Sequence, residues 1–481
     1  MISRQWNSEI PIKYIISLLT LFISFFYSVM SGLFWIALFF AIVSGYYIST
    51  LKIRRELILY SIILVLVFQN FVIGVGAHIA SNTTGLSYLT QVPLFFVVGI
   101  FLGSGLSNIE YERSMLYFIL LLVFIAVSLL IGRGTFNSIF ANLRNLVFFY
   151  VVYYISKKIM KKDFSMHYFV SKLVILGIFI LVIGIVLLIG GFPLYKMIGV
   201  NEVYIAKSAS MDALSAVSLD DRFYSDIFGF AVSRMGSLYY EPVSLGYLLV
   251  GMYLFTTLFD WTKDVLVKNV SKILLLIAIL LSFGKGSFLI LFLSIFAPLL
   301  HKFFKKVFST NNDNLVFNIA VILIPVFVYF FSTYYNTIFG GAVGNHFMAI
   351  TQTWPNVLSA PLGHGLGTGG NASKTFSSAG SITDNQWLST GGETALLSFG
   401  YQIGLIGMIV LILTLLSISK KILKNMEQYH GLRKNNIITI VYLPVILIIA
   451  SIFQDNTFAP QCISIYMMLL AAPNNYLSEN A

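Results

Sequence analysis

The sequence predicts an all-α, polytopic integral membrane protein, and three observations lead to that prediction. Of the 481 residues, 58% are apolar and only 10% are charged, whereas a soluble domain has about 45–50% apolar and about 25% charged residues. Many apolar runs approach the roughly 20 residues that a helix needs to cross the hydrocarbon core. The 30 Lys and Arg residues gather between alternate runs. This composition excludes a cytosolic enzyme.

Apolar runs bounded by charged or turn residues predict about 14 transmembrane helices. The stretch from Ile10 to Ser49 holds the first two runs without a small-residue cleavage site, so we expect an uncleaved anchor at the N-terminus. The predicted spans lie near residues 14–30, 32–49, 57–77, 91–107, 115–132, 140–156, 168–190, 238–259, 270–283, 287–300, 315–337, 394–417, 437–453 and 459–473.

The distribution of basic residues predicts the orientation of these spans. With the N-terminus in the cytoplasm, 22 of the 30 basic residues fall in cytoplasmic loops, as the positive-inside rule requires, and the C-terminus is cytoplasmic too. The net charge of +11 is therefore an orientation signal and does not indicate nucleic-acid binding. The eight basic residues left outside are Arg133, Arg144, Lys196, Lys207, Arg222, Arg234, Lys285 and Lys374.

Two long connections, at about 191–237 and 338–393, interrupt the otherwise short outside loops. Long loops in a compact domain often form lids or binding surfaces. Because unpaired backbone groups are costly at membrane depth, we expect both loops on the outer face, above a cavity between the helices. No linker or repeat divides the chain, so residues 1–481 are predicted to form one integral domain.

The outside basic residues are candidates for an anion site. Arg133, Arg144, Arg234 and Lys285 lie near the ends of predicted spans, and Arg222 lies in the first long loop. Each one alone is explained by a side chain that reaches the interface. Together they favour a cavity-facing cluster, because ionisable groups at membrane depth are costly and a guanidinium matches phosphate oxygens.

The segment Arg234–Tyr247, RMGSLYYEPVSLGY, brings an acidic residue close to one of these cations. Arg234 and Glu241 are seven residues apart, which is two turns if both lie on the helix, so we expect them to share one face. Pro242 fits the first turn of a helix or a kink. Two interpretations stay open: a buried structural ion pair, or Glu241 as a general base.

The second long loop contains the run Gly363–Gly370, GHGLGTGG. Its glycines match a dinucleotide-binding spacing, but no strand–helix–strand unit surrounds them. Closely spaced glycines also let backbone N–H groups approach an anion or a sugar hydroxyl. His346 and His364 have no third ligand at metal spacing, so we expect no metal site, and each is either polar surface or part of a site.

The remaining candidates have a structural and a functional interpretation each. Glu393 precedes the twelfth predicted span, where a carboxylate stabilises a helix N-terminus. The aromatic residues Tyr239, Tyr240, Trp354 and Trp387 would stack on sugar rings or form an interface belt. The single cysteine, Cys462, excludes an intramolecular disulfide.

Four segments in the second half of the chain resemble the Wzy-type O-antigen and capsule polymerases, whose superfamily also contains the O-antigen ligases. The first half is similar to that family only in hydropathy. The second long loop contains no arginine, which departs from a scheme with two arginine-bearing loops. The segments are Arg234–Gly246 (RMGSLYYEPVSLG), Leu281–Ser287 (LSFGKGS), Gly363–Thr368 (GHGLGT) and Glu393 followed by TALLSFGYQIGLIGM.

The resemblance implies a GT-C-like glycosyltransferase in the bacterial inner membrane, with its active site facing the periplasm. Such an enzyme transfers a growing glycan from undecaprenyl pyrophosphate to the nonreducing end of another lipid-linked repeat unit, without a nucleotide sugar, metal or cofactor. The implied partners are the lipid-linked donor and acceptor, membrane lipid, a Wzz-type chain-length regulator and a flippase. No nucleic acid is implied.

Residue roles follow from the same resemblance together with the chemistry of the side chains. Glu241, and after it His364, are the expected catalytic residues. The leaving pyrophosphate needs cations, and the sugars need aromatic and polar groups. The expected pyrophosphate-binding residues are Arg234, Lys285, Arg133, Arg144 and Arg222, and the expected glycan-binding residues are Tyr239, Tyr240, Trp354, Trp387, Glu393 and His346.

Two other functions stay open at this point. An O-antigen ligase, which moves finished glycan onto lipid A-core, favours an Arg and a His in the second long loop, and this loop has His364 but no Arg. A flippase of lipid-linked oligosaccharide usually has repeat symmetry and short loops on both faces. The chain concentrates its loop mass at two outside positions instead.

Overall fold

A computed structural model of the chain describes residues 11–81, 85–104, 111–132, 134–161, 163–207, 223–227, 230–323, 326, 343–376, 383–429 and 432–476. Most of these residues are helical, and one short antiparallel hairpin is present among them. The hairpin pairs β1 (Tyr224–Ile227) with β2 (Phe230–Ser233).

The described residues form 19 α-helices. They are α1 (Ile12–Ser31), α2 (Phe34–Thr50), α3 (Arg55–Ala80), α4 (Leu86–Leu89), α5 (Val92–Gly103), α6 (Arg113–Ile131), α7 (Phe136–Ile159), α8 (Met166–Met197), α9 (Val200–Ala206), α10 (Pro242–Leu258), α11 (Val265–Ser282), α12 (Lys285–Val307), α13 (Asp313–Leu323), α14 (Val343–Ser359), α15 (Gly370–Phe376), α16 (Asp384–Ser389), α17 (Ala395–Lys424), α18 (Lys434–Phe453) and α19 (Pro460–Ala471).

The protein is a multi-pass membrane protein by the length and composition of these helices. Among the described residues, 10 helical segments are long and apolar enough to cross a bilayer, with α4 and α5 together counted as one. Three shorter apolar helices, α2, α10 and α13, accompany them. Helices occupy the predicted spans wherever the structure describes them, and most of the span predicted at 315–337 lies outside the described residues; the all-α polytopic class is confirmed.

Local sequence signals account for several helix ends. The Thr135 side chain accepts a hydrogen bond from Ser138 N at the start of α7, and the Asp264 carboxylate accepts one from Val267 N at the start of α11. These oxygens satisfy N–H groups that have no partner within the helix. Pro242 and Pro460 start α10 and α19 at the position where proline costs no hydrogen bond.

Two long helices are broken at glycines with positive φ. Gly191 in α8 has φ 63° and ψ −167°, and Gly404 in α17 has φ 80° and ψ 169°. Both conformations are accessible to glycine and strained for other residues. Because α8 continues past its break to Met197, the first long outside connection starts later than the predicted residue 191.

The ion pairs of the described residues separate the bundle into two polar faces. On the face with most of the cations, Glu112 contacts Lys157 and Lys421, and Asp313 contacts Lys434. On the opposite face, Nδ1 of His78 lies 2.8 Å from Oε1 of Glu202, and Lys207 pairs with Glu241. Among the described residues, each ion pair joins two residues that the sequence places on the same side of the membrane, and none joins a residue predicted inside to one predicted outside. The long connections share the cation-poor face, which we call the outer face.

The centre of the bundle is closely packed, and so is the contact of α9 with α3 at the outer face. All residues of α19 are buried, while α6 and α11 leave most of their apolar surface exposed, as lipid-facing helices do. At the outer face, α9 packs against the outer end of α3. A Cβ on Gly199 would lie 2.0 Å from the carbonyl oxygen of Gly74, so only glycine permits this approach.

Candidate active site

Arg234 is held at the outer end of the bundle by its backbone and its side chain. Its amide N donates to Phe223 O at 2.6 Å, and the next amide, of Met235, donates to Leu281 O at 2.8 Å. The guanidinium Nε donates to Ser282 O at 3.4 Å. The residue therefore lies beside the turn that joins α11 to α12.

Lys285 begins α12 on the far side of the same turn. Its side chain is exposed, and it has no hydrogen bond or ion pair with another residue that the structure describes. Gly286 packs closely against the end of α18, because a Cβ on it would lie 2.9 Å from Cγ of Gln454. Two cations, Arg234 beside this turn and Lys285 at its end, thus lie close to the junction of α18 and α19.

Glu241 forms the third part of this arrangement, but not in the predicted geometry. The helix α10 begins at Pro242, and the preceding residues form a short 3-10 turn, Ser237–Tyr239. Positive φ values at Ser237 (45°) and Tyr240 (53°) turn the chain away from a helical path. The prediction that Arg234 and Glu241 share one helix face was therefore wrong, although Arg234 stays within electrostatic range of the Glu241 carboxylate.

Protein groups occupy both oxygens of the Glu241 carboxylate. Asn456 Nδ2 donates to Oε1 at 2.6 Å, and Lys207 Nζ lies 3.4 Å from Oε2. Glu241 thus pairs with Lys207, whereas the sequence analysis considered an ion pair with Arg234. No ion pair joins Arg234 to a carboxylate among the residues described.

Arg234 keeps its positive charge in this position. Burial lowers the pKa of the Arg234 guanidinium from its ordinary value, and the nearby Tyr204 and Glu241 act in the opposite direction. An arginine remains protonated at neutral pH. Two cations, Arg234 and Lys207, therefore lie near the Glu241 carboxylate, and this local positive charge suits an anion with several oxygens.

The turn Asp455–Phe458, between α18 and α19, ties this cluster to the second long connection. While Asn456 holds Glu241, its neighbour Asp455 accepts a hydrogen bond from the Asn371 amide. Asn371 Oδ1 accepts a hydrogen bond of 2.9 Å from Trp387 Nε1. Lys374 Nζ lies 4.3 Å from the centre of the Trp387 ring, which is a cation–π distance.

Sequence reasoning missed Asp455, Asn456 and Asn371. The available signal was the triplet Gln454–Asn456, a polar group inside the apolar stretch 437–473. An ionisable residue between two closely spaced spans is a candidate for a functional site. Loop length gave no such signal, because this connection is short.

The glycine run packs against other backbone segments instead of forming an open cradle. A Cβ on Gly365 would lie 2.0 Å from Cα of Gly132, and one on Gly367 would lie 2.9 Å from the Ile139 amide N. Most of its amides donate to protein acceptors, such as Gly367 N to Oε1 of the buried Gln402 at 2.7 Å. These glycines hold the second connection on α6, α7 and the break of α17.

His364 and Trp354 lie outside the cluster around Glu241. His364 stacks on Tyr401 with ring centres 4.1 Å apart, and its Nε2 lies 3.3 Å from Asn356 O. Trp354 lies on α14 with 42% of its surface exposed. Glu393 lies one residue before the N-cap of α17, Thr394, and so does not begin the helix as expected.

Tyr239 and Tyr240 lie in the protein core and present no ring face at the surface. They are 0% and 1% exposed. Tyr240 OH donates to Ile198 O at 2.7 Å, and its carbonyl oxygen accepts from Tyr204 OH at 2.9 Å. In this position the two tyrosines support the backbone that leads into Glu241.

Arg144 has a different set of neighbours. Its Nη1 donates to Thr90 O at 3.0 Å, and its Nε donates to Asn145 Oδ1 at 3.2 Å. These contacts tie α7 to the turn between α4 and α5, and none of them involves Arg234, Lys285 or Glu241. Arg133, Arg222 and the side chain of His346 lie outside the described residues.

Comparison with protein-family models, with curated proteins and with solved structures found no match to this chain.

Proposed function

We propose that the protein is a polysaccharide polymerase of the bacterial inner membrane, with a GT-C-like fold and both termini in the cytoplasm. It transfers a growing glycan from undecaprenyl pyrophosphate to the nonreducing end of another lipid-linked repeat unit, at the periplasmic end of the bundle. A Wzz-type chain-length regulator and a flippase are its expected partners.

The observation that carries this proposal is the placement of Arg234 and Lys207 near Glu241, with Lys285 on the far side of the turn that Arg234 contacts. A pyrophosphate leaving group develops negative charge as the bond to the sugar breaks, and fixed cations in a partly buried site stabilise that charge. The guanidinium supplies a rigid fork for two oxygens, and the lysines supply point charges.

The chemical step needs an oriented acceptor hydroxyl. Its oxygen attacks the anomeric carbon of the donor, the bond from that carbon to the pyrophosphate oxygen breaks, and the polyprenyl pyrophosphate departs with the electron pair. Glu241 accepts the hydroxyl proton when a substrate anion draws Lys207 from Oε2, and Asn456 keeps the carboxylate in place through Oε1. This step needs no group beyond the two substrates and the side chains.

Deletion of the gene tests the proposal against its alternatives. On a gel of surface polysaccharide, a lost polymerase leaves a single repeat unit on the core. Glycan retained on its lipid carrier would indicate a ligase, and a carrier intermediate held in the cytoplasm would indicate a flippase. Either of these two patterns contradicts the proposal.

A residue-level test uses purified protein with a synthetic polyprenyl-pyrophosphate oligosaccharide. Glu241→Gln removes the proton acceptor but keeps the shape of the side chain, so we expect the transfer rate to fall by about 100-fold or more. The matched control is Glu427→Gln, in a 3-10 turn at the opposite face. Unchanged chain extension by Glu241→Gln would remove Glu241 from the mechanism.

A further inference from the structure

An apolar groove opens on the side of the bundle below the outer face. Its volume is about 340 Å³, within the range of about 300–1,000 Å³ that small-molecule sites occupy. The walls come from α17 and α18, with further contacts from α13 and α14. Its side chains are apolar, and they include Trp354, Met408, Ile412, Leu416, Ile448 and Ile452.

The length of the groove along the helices is comparable to the thickness of one bilayer leaflet. It follows α17 from Met408 to Leu416, a rise of about 12 Å along the helix. One leaflet of the hydrocarbon core is about 15 Å deep. Ile452 and Phe453, the last residues of α18, line its outer end.

The outer end of the groove is linked to the cluster around Glu241 through the residues that follow α18, since Phe453 lines the groove and Asn456 bonds to Glu241. Phe453 is followed directly by Gln454, which contacts Gly286, and Lys285 and Arg234 flank the adjoining turn. A lipid whose chain lies in the groove therefore has its head group within reach of two cations. These cations attract a lipid with a pyrophosphate head group, and they offer no such attraction to a neutral lipid.

We propose that this groove binds the isoprenoid chain of the lipid-linked donor. The inference rests on the proposed function, and it assigns the chain-binding part of the substrate site. The described lining of the groove is almost entirely apolar, so burial of branched hydrocarbon supplies the affinity. The protein cations that bind the head group then fix how deep in the groove the isoprenoid chain lies.

The test compares donors that differ only in chain length. Ile412 faces the groove, whereas the next residue, Leu413, is 37% exposed on the outer surface of α17 and does not line it. We expect Ile412→Trp to raise KM for an undecaprenyl donor by about tenfold, since it displaces several buried CH₂ groups. KM for a ten-carbon prenyl donor should stay within about twofold, and Leu413→Trp should change neither value.

Several outcomes would overturn the inference. An equal rise in KM for both donors would show that Ile412→Trp distorts the head-group site, and no rise would show that the chain lies elsewhere. If Ile412→Trp does not fold, Ile448→Phe is a second variant that fills the same groove. No transfer from either donor by the unaltered protein would contradict the proposed function instead.

A binding experiment tests the groove independently of turnover. A photoreactive phospholipid should label Met408 or Ile452 in the empty protein, and undecaprenyl pyrophosphate should suppress that labelling. Suppression by the ten-carbon prenyl pyrophosphate at the same concentration should be weak. Labelling that undecaprenyl pyrophosphate does not reduce would show that the groove holds a phospholipid acyl chain.

Discussion

The guanidinium of Arg234 is a costly group to hold where it lies. It is partly buried, its Nε reaches one carbonyl oxygen, and no described carboxylate is within ion-pairing distance. Burying a charge without a partner destabilises a protein unless a ligand supplies the counter-charge. The position is therefore informative about function, because the fold gains little from the charge itself.

Replacement of Arg234 by lysine tests whether both prongs of the guanidinium matter. Arg234→Lys keeps the charge but loses the planar fork, so we expect transfer to slow by about 10- to 100-fold, the value of one or two charge-assisted hydrogen bonds. Initial rates in proteoliposomes measure this, with Arg433→Lys at the opposite face as the control. A rate equal to that of the unaltered protein would mean that Arg234 acts only through its charge.

The sequence predicted only part of this arrangement: Lys207 was not among the predicted site residues, and Arg144, which was, has other neighbours. Arg234, Lys285 and Glu241 were recognisable because charges are rare in apolar surroundings. Tyr239 and Tyr240 were not assignable, since an aromatic ring suits a core as well as a sugar site. Asn456 was not predictable, because its role depends on contact with a residue 215 positions away.

At the level of elements, the second outside connection is a packed structure instead of an open loop. The side chain of Gln402 is fully buried and bonds to Gly367 N and to Asn142 Oδ1. Ile406 N, just after the break in α17, donates to Pro361 O at 3.4 Å. The glycine run and the break at Gly404 thus depend on one another.

An alanine at Gly365 should destabilise this packing. Its φ is 104°, and a Cβ would meet the Gly132 backbone, so we expect a loss above the roughly 1–2 kcal/mol of left-handed strain alone. Gly191→Ala is the control, because its φ is also positive but a Cβ there would lie 3.6 Å from its nearest neighbour, Cδ of Pro193. Thermal unfolding in detergent should show the larger drop in Tm for Gly365→Ala. Equal drops would mean that the close approach has no energetic role.

Hydropathy predicted the existence of the helices better than their ends and breaks. The span predicted at 238–259 is a helix only from Pro242, because the positive φ at Tyr240 depends on hydrogen bonds to Ile198 and Tyr204. The short helix α9 and the hairpin were not predicted at all. Both are too short for periodicity to detect, and tertiary contacts stabilise them.

At the scale of the whole molecule, the separation of charge between the two ends of the bundle predicts its orientation. The basic face contains Lys263 and the outer face contains Ser359, and both side chains are exposed. Cys462, the single cysteine, is fully buried. Introduced cysteines can therefore be labelled against a low background.

We expect Ser359→Cys to react with a membrane-impermeant maleimide in spheroplasts. Lys263→Cys should react only after the membrane is permeabilised, because the positive-inside rule places that end in the cytoplasm. The unaltered protein, with only Cys462, is the control for background. The reverse pattern would invert the orientation and place the cluster around Glu241 in the cytoplasm.

Consecutive residues on a 3-10 turn point about 120° apart, and this spacing lets Asp455 face one long connection while Asn456 faces the other. A single inserted residue between Phe453 and Asp455 would rotate both side chains together. It would break the hydrogen bond from Asn371 to Asp455 and the one from Asn456 to Glu241 at the same time. Neither long connection and no transmembrane helix would change in sequence. The structure of the outer end therefore depends on the length of this turn between α18 and α19 as strictly as on the identity of its charged residues.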